Sequence, residues 1–275
     1  MFIDPISHNA FRSMSMAMNE PGQGLLALMY HSIGSVETSG YPWGVSLDNL
    51  HNQLYLLKKE EWNSFCVSAL QHPEKLHPRS LAITFDDGYV DVYEKAFPLL
   101  KEFGFCATCF VVAGDIGVPS SWHESDMPPL PIMDRQQLKE LSSAGIEIGA
   151  HTRTHKRLTR LNDAELIAEL ADSKKILEDV IGKEVVSFAY PYGDFDERIV
   201  AAVKLAGFKV ACTTASGWAL TDQDLLRVRR LTVFGSDSLS TFARNLVFAD
   251  NDMNWFKMSR YYLQRLKCRI TGVSH

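Results

Sequence analysis

The sequence predicts an α/β fold, a mostly parallel sheet with helices in a single domain, and three observations predict it. Strand-like and helix-like stretches alternate six or seven times between residues 25 and 248. No internal repeat or linker-like segment interrupts the alternation. At 275 residues and 46% hydrophobic, the chain is long and apolar enough for one large core, and α/β barrels of this size form single domains. Right-handed crossovers either close such a sheet into a barrel or wind it doubly.

Leu25 to Ile33 reads as the first buried strand, with Tyr30-His31 near its end. Leu47, Leu50, Leu54 and Leu57 recur at helical spacing after Ser46, an N-cap residue. Trp62 to Val67 reads as a short strand, and Leu81 to Phe85 as a buried one that stops at Asp86-Asp87-Gly88. Tyr89 to Phe103 is a helix with a kink or restart at Pro98 and a stop at Gly104. A strand over Phe105 to Val112 precedes a proline-rich loop, Gly114 to Met133. Two capping boxes, Asp134 with Gln137 and Asn162 with Glu165, open helices. The second helix places Ile167, Leu170, Leu177 and Ile181 on one face. Ile146 to Ala150, Val185 to Tyr190, Phe208 to Thr213 and Leu225 to Val233 complete the strands; Ser238 to Phe248 and Asn254 to Ile270 are helical. The expected division is an N-terminal extension (1–24), the body (25–248) and a C-terminal helix packed on it (249–275).

Composition narrows the partners. A net charge of −5 and a pI near 6.0 leave no electrostatic footprint for nucleic acid, and no run is long enough for a transmembrane segment. The first 23 residues lack a cationic start followed by an apolar core, so no signal peptide and a cytoplasmic location are expected, with a removed leader or export by another route as the alternative. Five scattered cysteines make no disulfide framework. Cys106 and Cys109 have redox spacing, but on a strand they point to opposite faces and read as core filler. Oligomeric state is left open.

The chemistry gathers at strand ends. Asp86 and Asp87 repel each other and lose hydration unless a cation or proton joins them. His151-Thr-Arg-Thr-His155 follows a strand directly, and His31 and Tyr192 lie just past two others. In a parallel barrel all these ends share one mouth, where chemistry is found. Two imidazoles and one carboxylate form the open donor set of hydrolytic zinc, which acidifies water and polarises a carbonyl. Asp87 as ligand leaves Asp86 free as general base, and His31 is a candidate general acid. A non-haem iron oxygenase uses the same donors and stands as an alternative.

Thr84 to Gly88 (TFDDG), His151 to His155 (HTxxH) and Pro191 to Gly193 (PYG) together resemble the ordered motifs of the polysaccharide deacetylases, carbohydrate esterase family four, over about Leu25 to Val233. The resemblance implies a distorted (β/α)7 barrel that hydrolyses acetyl groups, chiefly N-acetyl, on an N-acetylated saccharide. It implies one divalent metal ion, zinc first, with nickel, cobalt or iron as substitutes. Asp87, His151 and His155 would hold the metal, Asp86 would be the base, and the Tyr192 backbone N–H would meet the oxyanion. Pro191 would line the substrate site beside it.

Three departures matter. The family's third motif begins with an arginine two residues before the proline, where this chain has Ala189. Arg230 is the expected substitute for orienting the base. The usual C-terminal Leu-x-His is missing, whereas Leu28-Met29-Tyr30-His31 is similar to the permuted arrangement of biofilm poly-N-acetylglucosamine deacetylases, which makes His31 the preferred acid. The Asp-Trp motif is absent too, and Trp122 and Trp218 are expected along the sugar groove. Ala189 keeps open a second reading, a barrel that binds a glycan without turning it over.

Overall fold

The computed structural model of the chain describes residues 2–18, 24–34, 41–122 and 129–252; the expected helix over 254–270 lies outside them. The strands are β1 (Leu26–Tyr30), β2 (Ser32–Ile33), β3 (Gly44–Val45), β4 (Asn63–Phe65), β5 (Ser80–Phe85), β6 (Thr108–Val111), β7 (Glu147–Ala150), β8 (Ser187–Ala189), β9 (Val210–Cys212) and β10 (Leu231–Thr232). Eight form a parallel, curled sheet, seven in the order β10-β1-β5-β6-β7-β8-β9 and β4 joined to β5 beside that path, while β2 and β3 pair apart from it. Its two ends meet through one parallel bridge, Cys212 with Val228, where Thr213 N donates to Val228 O (2.8 Å) and Val228 N to Ala211 O (2.9 Å). This is the (β/α)7 barrel expected from the motifs, and its distortion has two sources. One is the thin seam at Val228. The other is at β5, whose second edge is shared between β4 (Ser80 to Ala82) and β6 (Thr84 and Phe85).

Strand side chains alternate between two separate cores, as the pleat requires. Leu26, Leu28, Tyr30, Leu81, Ile83, Phe85, Cys109, Val111 and Phe188 pack outward with the helices. Ala27, Ala82, Phe110, Ala189, Val210 and Cys212 form the interior cluster. Most inward residues are small because Phe110 fills the middle. A Cβ at Gly149, opposite Phe110 in the ladder, would come within 2.5 Å of its ring.

The helices follow their start and stop signals. Ser46 caps Leu47–Lys59 through Asn49 N, and both capping boxes form, opening Arg135–Ser143 and Asp163–Ile181. The segment after Gly88 restarts as expected: a π-helical turn, Val92–Ala96, gives way to an α-helix, Phe97–Phe103, with Pro98 in its first turn, where its missing N–H leaves no bond unmade. Gly104 then ends it in the left-handed region (φ 72°).

Two expectations need correcting. The first strand stops at Tyr30, so His31 is released from the ladder and Ser32–Ile33 turns away to pair with Gly44–Val45. On Asp163–Ile181 the buried stripe is Leu166, Leu170, Ser173, Leu177 and Val180, about one position from the expected one, which leaves Ile167 60% exposed. The N-terminal extension also holds a helix. Asp4 caps a helix over Pro5–Ala17 that buries Phe11 against Trp62 (ring centroids 5.7 Å apart), while Asp4 pairs with Arg244 of Leu239–Phe248 (3.4 Å). The signal was Asp4-Pro5, a cap residue before a proline at the first helical position.

Gly149→Ala puts a methyl group against the Phe110 ring. It is expected to lower stability by about 1–3 kcal/mol, measured as a lower urea midpoint with unchanged slope.

Candidate active site

The barrel brings its chemistry to one rim. Asp86 and Asp87 follow β5, with Asp86 N bonded to Tyr30 O (2.9 Å), and His31 follows Tyr30 directly. His151 follows β7, with His151 N bonded to Val111 O (2.9 Å), and Tyr192 lies in the 3-10 turn Pro191–Gly193 after β8. Seven non-glycine residues among those described have positive φ, and four are here: Asp87 (75°), Thr152 (64°), His155 (56°) and Tyr192 (60°). Left-handed backbone costs about 1–2 kcal/mol per residue and persists where surroundings force it, which is a mark of functional sites.

Asp86 and Arg230 form the centre. The guanidinium is fully buried and grips the carboxylate with both ends, Nη1 to Oδ1 at 2.6 Å and Nη2 to Oδ2 at 2.7 Å. It also donates from Nη1 to Thr84 Oγ1 (3.0 Å) and from Nε to Thr213 O (3.0 Å). Thr84 Oγ1 in turn donates to Leu28 O (2.7 Å), which ties β10, β5, β1 and the segment after β9 to one side chain. Burial alone pushes the Asp86 carboxyl up, but Arg230, then His151 and His31, more than offset this and take it down to about 2.

Beside it, Asp87, His151 and His155 are buried and face each other. Asp87 Oδ1 lies 3.5 Å from His151 Nε2 and 3.4 Å from His155 Nε2, and among the described residues it has no hydrogen-bond partner. Burial, followed by the neighbouring Asp86 charge, raises Asp87 to about 7. Burial also holds both imidazoles below their usual range, and hence neutral. Two free imidazole nitrogens and an orphaned carboxylate oxygen within 4.8 Å of one another fit a divalent cation, which would stabilise all three at once. The donor set does not by itself name the ion.

The other candidates divide. His31 is in the site: its charge environment is Asp86, Arg230 and His151, its Nδ1 is buried without a partner among the described residues, and burial takes the imidazole down to about 4. Trp122 is there as well, its ring 4.6 Å from that of His155. Pro191 is close in sequence but buried, so it shapes the turn and offers no substrate surface, while Tyr192 is 39% exposed. Trp218 is not brought to the rim. Ala219 N bonds Leu25 O, and the Trp218 ring covers Gly24, before β1 and at the end opposite His31.

Two supports went unread in the sequence. Glu169, buried on Asp163–Ile181, accepts from Arg153 N (2.9 Å) and Thr154 N (2.8 Å), so it pins the backbone between the two histidines. A glutamate on the apolar stripe between Leu166 and Leu170 was the available signal. Tyr89 and Tyr41 stand beside Asp87 and act on its charge; only Tyr89, next to the DDG run, could have been suspected.

Comparison with known proteins gives a consistent result. The family model described as Polysaccharide deacetylase matches residues 74–211. The chain is 31% identical over 218 residues to YxkH of Bacillus subtilis, covering 78% of this chain and 73% of YxkH. It is 28% identical over 193 residues to the poly-beta-1,6-N-acetyl-D-glucosamine N-deacetylase of Staphylococcus aureus, covering 66% of this chain and 64% of that protein, under two thirds of its length. The fold is similar to that of the Streptococcus pyogenes deacetylase PplD, solved with acetate, at a TM-score of 0.67 and 24% identity over 78% of this chain and 94% of that one.

The Asp86–Arg230 pair makes stability pH-dependent. Because the folded pKa of Asp86 is depressed, its contribution is present above the unfolded carboxylate value of about 4 and is lost as pH falls through about 2. Urea titrations at stepped pH should find that Asp86→Asn is less stable at pH 6 but has a flatter decline below pH 4. Equal slopes in both proteins would rule out this coupling.

Proposed function

The chain belongs to the polysaccharide deacetylase family, and from that premise we propose that it is a divalent-metal-dependent hydrolase removing N-acetyl groups from an amino-sugar glycan. The observation that carries the reading is the pairing of a cation-ready Asp87–His151–His155 group with an ionised carboxylate, Asp86, beside it. A relative named for acting on poly-N-acetylglucosamine supports a glycan of N-acetylated hexosamines as the substrate class.

Asp87, His151 and His155 would hold the ion, with zinc the first choice and nickel, cobalt or iron able to replace it. Once bound, such a cation polarises the acetyl carbonyl and acidifies water. Asp86 then takes the proton of the attacking water. Arg230 keeps it ionised and aimed, at the expense of basicity. The Tyr192 backbone N–H is assigned the oxyanion of the tetrahedral intermediate. His31 rests neutral, and it protonates the departing amine with the proton Asp86 has removed from water. Trp122 flanks the pocket and offers an aromatic face to a pyranose ring.

Ala189 favoured a non-catalytic, glycan-binding barrel, and the position of Arg230 weakens that reading. Ala189 belongs to the interior cluster around Phe110, and the Arg230 guanidinium lies 5.5 Å from the Phe110 ring. A guanidinium supplied from the residue just before β10 occupies the interior and reaches the base, and a small residue at 189 leaves room for it.

Two results would test this. Asp87→Ala and His151→Ala should each abolish zinc uptake and release of acetate from N-acetylated chito-oligomers; full activity of either in metal-stripped buffer would sink the mechanism. Arg230→Ala should lower kcat at least 100-fold with zinc affinity little changed, and it should cost about 3–5 kcal/mol of stability by stranding a buried carboxylate. Wild-type turnover in that variant would remove Arg230 from the reaction.

A further inference from the structure

An imidazole offers Nε2 to a cation when its proton sits on Nδ1, so whatever faces Nδ1 matters. For His151 that group is Ala189 O, at 2.8 Å. A carbonyl can only accept, so the proton is on Nδ1 and Nε2 is left open toward Asp87. His155 has no carbonyl in that position. Its Nδ1 lies 3.2 Å from the Tyr192 hydroxyl, while its Nε2 faces Asp87 Oδ1. We propose that the Tyr192 phenol is a positioning residue for the metal-binding imidazole of His155, accepting its Nδ1–H and fixing its ring plane, a role distinct from that of the Tyr192 backbone N–H. The inference rests on the metal-site reading above.

The surroundings are built for this. Trp122, His155, Tyr192 and Arg157 form a run of packed planar groups: Trp122 to His155 at 4.6 Å, His155 to Tyr192 at 4.6 Å, and the Arg157 guanidinium 4.1 Å from the Tyr192 ring centre. The guanidinium over the ring adds a cation–π attraction that holds the phenol in place. Tyr192 itself is left-handed (φ 60°, ψ 6°), and the next residue is fixed because a Cβ at Gly193 would lie 2.0 Å from Thr214 Oγ1. The backbone thus holds Tyr192 in an unfavourable conformation that carries its hydroxyl to His155. Ligating histidines commonly donate their second N–H in this way, and losing the acceptor typically weakens metal binding 10–100-fold.

Tyr192→Phe tests it, since it keeps the ring, the Arg157 stack and the backbone N–H. In the full chain stripped with chelator and titrated with zinc against a competing dye, the variant should bind zinc 10–100-fold more weakly than wild type. Its metal-free thermal midpoint should be unchanged, and turnover should return once zinc exceeds the new Kd. Zinc affinity within twofold of wild type, with only KM for the oligosaccharide raised, would overturn the inference and make the phenol a sugar contact. Wild-type protein that takes up no zinc would instead overturn the metal-site reading beneath it.

Discussion

The structure depends on one buried charge pair. Arg230 and Asp86 are both out of water in the barrel interior, joined by two short hydrogen bonds. Burying two ions costs several kcal/mol each, and their attraction compensates only if geometry is good and remaining donors are satisfied. Both conditions hold, because Thr84 and Thr213 take further guanidinium donors. An apolar pair would fill the same space without that penalty. What the ion pair adds is a carboxylate kept ionised where desolvation alone would neutralise it. The small interior residues, Ala27, Ala82 and Ala189, follow from the need to fit this pair and Phe110 inside a seven-stranded ring.

The adjacent Asp87 meets the opposite fate. It lacks an arginine, Asp86 repels it, and its carboxyl rises toward neutrality. Neighbours in sequence thus become unlike in chemistry because their partners differ. The two imidazoles that share Asp87 are held by local devices: Ala189 O for His151, and for the turn before His155 the Glu169 carboxylate with Thr152 Oγ1, which accepts from His155 N (2.9 Å). Strained backbone at Thr152 and His155 is maintained by these contacts.

Much of this was legible in the sequence. Alternating apolar runs and turn residues specify a parallel α/β sheet, which the three motifs narrow to a barrel, and Asp86, Asp87, His151 and His155 are readable because strand ends in such a barrel converge. Arg230 could be suspected from the gap at Ala189, although sequence says nothing of where its side chain goes. Trp218 was misplaced because an aromatic near a strand end looks the same in sequence whether the chain stays at the rim or runs back along the barrel. Ile167 was assigned to the wrong face by about one helical position, since Leu166 and Ile167 fit the period almost equally and only packing separates them. Glu169 was hidden by its charge: periodicity counts apolar residues, and a glutamate that turns inward to cap a loop breaks the pattern it belongs to.

The seam at Val228 carries a consequence for how the molecule forms. Arg230 lies 144 positions after Asp86 and directly precedes β10, the strand that pairs with β1. Contacts of such long sequence separation form slowly, because the loop must close before any stabilisation is gained. Until residue 230 has been synthesised and docked, Asp86 has no counter-charge and the ring stays open between β1 and β9. A shortened chain ending before β10 would hold both carboxylates and both histidines yet lack a completed barrel. The Asp86 carboxylate therefore becomes a paired ion inside the protein only as the final strand arrives, so its charge is settled together with closure.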